Sequence, residues 1–241
     1  MLIKTEAVVL HTVKYGDNKV IVDMFTAGYG RMGFVVGIPR SGRSGVRKQL
    51  FQPMALLEVE ADIRPRLKLQ KLRAARLAYP MTTVPFEPVK LSMALFTAEF
   101  LYYALRGEQE NRPLFDYISG SMQWLDRREG RYANFHLVFL MRLSLFLGFY
   151  PNLEGYHDGS CFDLRAGCFC AGVPPHGDFL APQEARLIGV LMRMGFSTMH
   201  LYRMSRMERN RFIEVIITYY RIHIPDFPEL RSLAVLRELF V

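Results

Sequence analysis

The feature that most constrains the fold is a change of hydrophobic period at one proline-rich joint, "YPMTTVPFEP", residues 79–88. Before it, apolar residues come in short runs rich in Val, Leu, Ile and Phe, separated by Gly, Asp, Asn and Pro: "AVVLHTV", "KVIVDMFTA", "MGFVVGI", "MALLEVEAD" and "LKLQKLRAARL". These read as strands, and about five of them in under 80 residues suit a small closed barrel. After the joint the stripe recurs at three-to-four spacing, in "VKLSMALFTAEFLYYALRGE", "PLFDYISGSMQWLDRR" and "ANFHLVFLMRLSLFLGF". "PQEARLIGVLMRMGF", "RNRFIEVIITYYRIHI" and "PELRSLAVLRELF" read as three more helices. The expectation is an α+β chain. A barrel domain spans 1–80, a mostly α-helical domain spans 81–241, and an irregular segment at 150–180 holds all three cysteines.

Charge follows the same division. Residues 1–80 hold 14 Lys/Arg against 6 Asp/Glu, whereas residues 81–241 hold 17 of each. The net charge of +8 therefore belongs to the first third. A solubility device would be spread evenly, so the asymmetry points to a polyanion-binding first domain. Half of the chain is hydrophobic and 22% charged, which excludes disorder. The opening "MLIKTEAVVLHTVKYGD" contains no signal-peptide core, and the longest apolar stretch, residues 135–149, is too short to span a membrane and carries His136 and Arg142. Three cysteines make no disulfide framework, so a reducing, cytoplasmic setting is expected.

Two glycine motifs imitate nucleotide sites. "GIPRSGRS" at 37–44 is one substitution from a P-loop, with Arg43 in place of lysine. A P-loop must open a helix so that backbone N–H groups face the phosphate, and Pro53 leaves no room for one. "GYGRMG", with Gly28, Gly30 and Gly33, is followed by β-like sequence and reads as a turn between antiparallel strands. The cations near these glycines need another role. Arg40, Arg43, Arg47 and Lys48 sit in a loop between strands, and Arg64, Arg66, Lys68, Lys71, Arg73 and Arg76 follow on and around the last strand. In "RPRLKLQKLR", Arg64, Arg66, Lys68 and Gln70 alternate with Pro65, Leu67 and Leu69, which predicts one cationic face and one core face. A cationic loop beside such a face suits a phosphate backbone. A solvated edge strand is the plainer alternative. Aromatics for base stacking are few: Tyr15, Tyr29, Phe34 and Phe51, each equally a core residue.

Cys161, Cys168 and Cys170, with His157 and His176, could close a tetrahedral zinc site, but Cys168 and Cys170 are spaced poorly for paired ligands. No catalytic set emerges, and His11, His136 and His200 read as surface or core residues. Arg203, Arg206, Arg209 and Arg211 form a second basic cluster.

"AVVLHTVKYGDNKVIVDMFTAGYGRMGFVVGIPRSGRS", then "LFQPMALLEVE", "LSLFLGFYPNL" and "CFDLRAGCFCAG", resembles the bacterial RecO family of recombination mediators. The resemblance implies an N-terminal OB-fold, then a helical domain with a zinc-finger-like insert. It implies binding to single- and double-stranded DNA, strand annealing without a nucleotide, and partnership with RecR and single-stranded DNA-binding protein (SSB). It implies association with the nucleoid and no enzymatic turnover. Zinc-bearing members carry two C-x-x-C pairs. Here the partner position of Cys168 is Ala171, and no pair precedes it around "LEGYHDGS", which favours an insert without zinc. The SSB tail is acidic and ends in an aromatic residue, so its site needs an apolar pocket with a cation. Arg142, in an apolar helix, and the Arg203 and Arg206 cluster are the candidates. An RNA-binding barrel module is the other class open at this stage.

Overall fold

The computed structural model describes residues 1–38, 47–64 and 66–239. Two compact units form, Met1–Arg127 with Leu230–Leu236, and Arg128–Glu229 with Arg237–Val241.

The first unit is built on strands β1 (Leu2–Lys14), β2 (Lys19–Thr26), β3 (Gly30–Gly37), β4 (Leu56–Asp62) and β5 (Leu69–Tyr79), closed in the order β1-β2-β3-β5-β4. This is the OB-type barrel. Its antiparallel ladders close through one parallel pair, Gly33–Val35 against Leu69–Lys71. β1 is long enough to serve two neighbours: its first half pairs with β4 and its second with β2. Val9, Val22, Met24, Phe34, Leu57 and Val59 fill the interior. Of the Gly28–Gly33 motif, Gly28 lies in the β2–β3 turn, while Gly30 and Gly33 lie on antiparallel β3. Gly30 has φ +68°, and a Cβ there would stand 2.4 Å from the Glu108 carbonyl oxygen, so no larger residue fits.

The proline joint is bound rather than loose. Asp126, fully buried at the end of helix α2 (Arg112–Arg127), accepts the backbone N–H groups of Thr82, Thr83 and Val84 at 2.8–3.0 Å and the Tyr79 hydroxyl at 3.1 Å. Lys90 on helix α1 (Pro88–Ala104), also buried, donates to Thr83 Oγ1 at 2.6 Å. Burial alone would raise the Asp126 carboxyl. The amides of Val84, Thr82 and Thr83 and the Tyr79 hydroxyl outweigh it and bring the pKa to about 2. Pro88 starts α1, where its missing N–H is harmless.

The second unit contains helices α3 (Phe135–Phe146), α4 (Pro182–Arg193) and α5 (Arg206–His223). Ser205 and Glu208 form a reciprocal capping box at the start of α5. The segment expected to be irregular carries three short strands, β6 (Cys161–Asp163), β7 (Cys168–Cys170) and β8 (Phe179–Leu180), ordered β7-β6-β8. Runs of two or three residues leave no readable period. A last short helix, α6 (Ser232–Glu238), follows.

Candidate nucleic-acid interface

Directly opposed residues in a ladder project to the same side. Two outward rows therefore cross the wall of β1, β2, β3 and β5. One is Val13–Ile21–Val35–Lys71 and the other is His11–Asp23–Gly33–Leu69. The intervening residues, Val20, Val22, Phe34 and Val36, are buried inside. Lys71 stands on one flank of this wall, with exposed Lys68 preceding β5. Lys48 stands on the other flank. It opens a 3-10 turn, Lys48–Phe51, that Thr12 anchors by donating to the Phe51 carbonyl at 3.0 Å. Arg47 is exposed just before it. No described carboxylate forms a salt bridge with Arg47, Lys48, Arg64, Arg66 or Lys68, while Lys71 stands opposite Asp62 in the β4–β5 ladder. Exposed Lys14 and Lys19, overlooked in the sequence, border the same wall at the β1–β2 turn. Arg40 and Arg43, with most of the P-loop-like motif, lie outside the described residues. The only helical piece described between that motif and Pro53 is the four-residue 3-10 turn.

The expected alternation from Arg64 to Gln70 is corrected. Arg64, Arg66 and Lys68 lie on the β4–β5 connection, not on a strand, and β5 begins at Leu69. Its phase is inverted: Gln70 and Leu72 are buried, while Leu67 and Leu69 are exposed. The cause is Gln70, whose side chain folds the connection. Its Oε1 accepts the Arg64 N–H at 2.7 Å and its Nε2 donates to the Arg64 and Leu67 carbonyls at 3.2 and 2.6 Å. A glutamine satisfied in this way is a tolerable core residue. Arg73 and Arg76 face outward but are engaged. Arg73 Nε meets Asp62 Oδ2 at 2.6 Å and Arg76 bonds Glu58. The hydrogen bond from Arg73 holds the Asp62 carboxyl below its usual range. Such exposed pairs are weak enough to exchange for phosphate.

Of the aromatic candidates, Phe34 and Phe51 are core, and Tyr15 and Tyr29 are exposed in the turns after β1 and β2. The structure adds an aromatic group that no barrel motif signals. His11 packs on Tyr102 of α1 with ring centroids 4.7 Å apart, and the Arg31 guanidinium lies 4.3 Å from the Tyr102 centroid. His11 and Tyr102 are 91 positions apart, so only tertiary structure joins them.

In the second unit, Arg142 lies on α3 but is exposed, with Nη2 3.0 Å from where a Cβ on Gly195 would stand. Arg206 is engaged, donating to the Arg237 carbonyl at 2.8 Å and lying 3.7 Å from Glu238. Arg203 is exposed at an open cavity that Arg131, Asn134, Tyr202 and Met204 also line. Asn134 is only 4% exposed. Its Nδ2 donates to the Met199 and Tyr202 carbonyls, while its Oδ1 has no partner among the described residues.

The cysteines pair across short strands rather than converging on one point. Cys161 and Cys170 face each other across β6 and β7, and Cys168 faces Asp163. The Cys170 thiol donates to the Gly172 carbonyl at 3.3 Å, and burial, then Cys161, Asp163 and Cys168, pushes its pKa up. His176 Nε2 is 3.3 Å from Asp163, while His157 is exposed with Nδ1 3.2 Å from the Asp158 carbonyl oxygen. Among the described residues no three His, Cys, Asp or Glu converge as a ligand set. No described helix is long and apolar enough to cross a membrane.

Family models agree with this arrangement. Residues 1–81 match "Recombination protein O N terminal", and residues 85–234 match "Recombination protein O C terminal". Proteins named "DNA repair protein RecO" are similar along their full length. The one from Phocaeicola vulgatus is 52% identical over 240 residues, covering 100% of both chains. That of Bacteroides fragilis is 51% identical over 241 residues and that of Christiangramia forsetii 32% over 241, each again covering 100% of both.

Proposed function

Because the chain belongs to the recombination protein O family of DNA repair proteins, we propose that it is a non-enzymatic recombination mediator that binds single- and double-stranded DNA and anneals complementary strands. The observation that carries this reading is the barrel wall flanked by Lys48 on one side and Lys68 and Lys71 on the other. Cations on both flanks neutralise phosphates on two strands and lower the repulsion that opposes pairing. Base pairing then supplies the specificity, so the protein reads little sequence. A salt series on a single-stranded oligonucleotide tests it. If about five phosphates are neutralised, log K falls with log salt at a slope of roughly −3.5. Replacing Arg43, Arg47 and Lys48 together flattens that slope by about 2 and slows annealing. An unchanged slope overturns the assignment of that loop, and a wild type that does not anneal overturns the mediator reading.

In the family's setting the protein works with RecR and SSB to load recombinase on SSB-coated DNA, at the nucleoid. For the acidic, aromatic-ended SSB tail, the cavity beside Arg203 is the site the second unit offers. Arg131 and Arg203 supply charge, Tyr202 and Met204 supply apolar surface, and Asn134 Oδ1 supplies an acceptor for a peptide N–H. A labelled tail peptide titrated against the full chain is expected to bind several-fold more weakly to Arg203→Ala than to wild type. Arg142, near Gly195, is the second substitution to compare. Unchanged binding in both variants overturns this site.

A further inference from the structure

We propose that the notch between β1 and the Lys48–Phe51 turn is a nucleotide subsite, in which the His11 imidazole stacks on a base and Lys48 takes the adjoining phosphate. The inference rests on the reading of the barrel as DNA-binding and adds where, and by which group, a base is held.

The notch is a cavity of about 480 Å³ lined chiefly by His11, Thr12, Lys48, Gln49 and Gln52. His11 reaches it through a backbone irregularity. Ile3, Ala7 and Val9 point into the barrel. Strict alternation would send His11 and Val13 inward as well. A bulge between Val9 and His11 reverses the phase, so His11 pairs with Asp23 and both it and Val13 are exposed. Bulges commonly re-aim a side chain at a functional surface.

The imidazole is also backed. Tyr102 stands behind it at 4.7 Å, and Arg31 covers the Tyr102 ring at 4.3 Å. Arg31 is in turn anchored to the Tyr102 carbonyl and lies 3.6 Å from Asp23. A platform held in this way loses little freedom when a base docks on it. Thr12 pins the 3-10 turn, and thus Lys48, against the same strand. Among the described residues, no Asp or Glu lines the notch. The exposed side-chain amides of Gln49 and Gln52 make no hydrogen bond among the described residues. An amide both donates and accepts, so the pair can meet any base edge. An aromatic ring, a cation and two amides suit one nucleotide without preference for its identity.

The test uses the full chain and two short single strands of equal length, one with bases and one abasic, over a salt series. Wild type is expected to prefer the base-bearing strand by roughly 5- to 160-fold, the range of one stacked base. His11→Ala removes the preference without changing the salt slope, and His11→Phe keeps it. Lys48→Ala keeps the preference and reduces the slope by about 0.7. A preference that survives in His11→Ala overturns the subsite, as does its absence in a wild type that binds both strands with normal salt dependence. A wild type that binds neither strand overturns the DNA-binding reading and the subsite with it.

Discussion

At the scale of single residues, the most consequential side chain is one that sequence reading passed over. Asp126 gathers three consecutive backbone N–H groups from the proline joint, so a stretch that reads as a domain-ending linker is a fixed elbow. Nothing local signals this, because the partners are 42–44 residues apart. Its pKa of about 2 lies below the unfolded value near 3.8. A depressed carboxylate adds stability that is complete above the unfolded pKa and lost as pH falls through the folded one. The contribution is about 2 kcal/mol at neutral pH and vanishes between about pH 4 and pH 2. Asp126→Asn presents an amide where the backbone already supplies donors, and is expected to cost about 2–4 kcal/mol at pH 7. Urea unfolding of both proteins at descending pH checks this. The gap narrows toward pH 2, and a pH-independent gap would contradict the assignment.

Elements show where periodicity suffices and where it does not. Five strands and six helices lie close to where hydrophobic spacing put them, because apolar residues recur at the period of the element that buries them. The outward direction of β5 did not follow, because the count began at Arg64, before the strand does, and because Gln70 is buried with its hydrogen bonds met. The β1 bulge is equally silent in the sequence, yet it decides which way His11 faces. The cysteine insert is the opposite case, since its missing C-x-x-C partners were legible directly. We propose that the insert packs without metal, supported by the Cys170 thiol donating to carbonyls and by Phe162 and Phe169 in edge contact at 5.1 Å. Elemental analysis of the purified chain is expected to find far less than one zinc per chain. One equivalent, lost in Cys168→Ser, would refute this.

For the whole molecule, the strand-to-helix change near residue 80 matches the division between the two family models, while compactness groups α1 and α2 with the barrel. Phe25 meets Phe115 at 6.4 Å, the Glu108–Gln109 backbone closes over Gly30, and Arg112 lies 3.2 Å from Glu6. A fragment of residues 1–80 would expose those faces, so it is expected to unfold at lower urea than a fragment of residues 1–127. Equal midpoints would show that the barrel does not depend on these helices. The sequence by itself determined the barrel-then-helices order, the confinement of positive charge to the first third and the incomplete cysteine pairs, because composition, period and spacing are local properties of a chain. Tertiary structure alone decided which of the described cations form salt bridges, which way β5 and His11 face, and that Tyr102 meets both Arg31 and His11. Those outcomes depend on register, a bulge and contacts between residues tens of positions apart, none of which leaves a periodic trace.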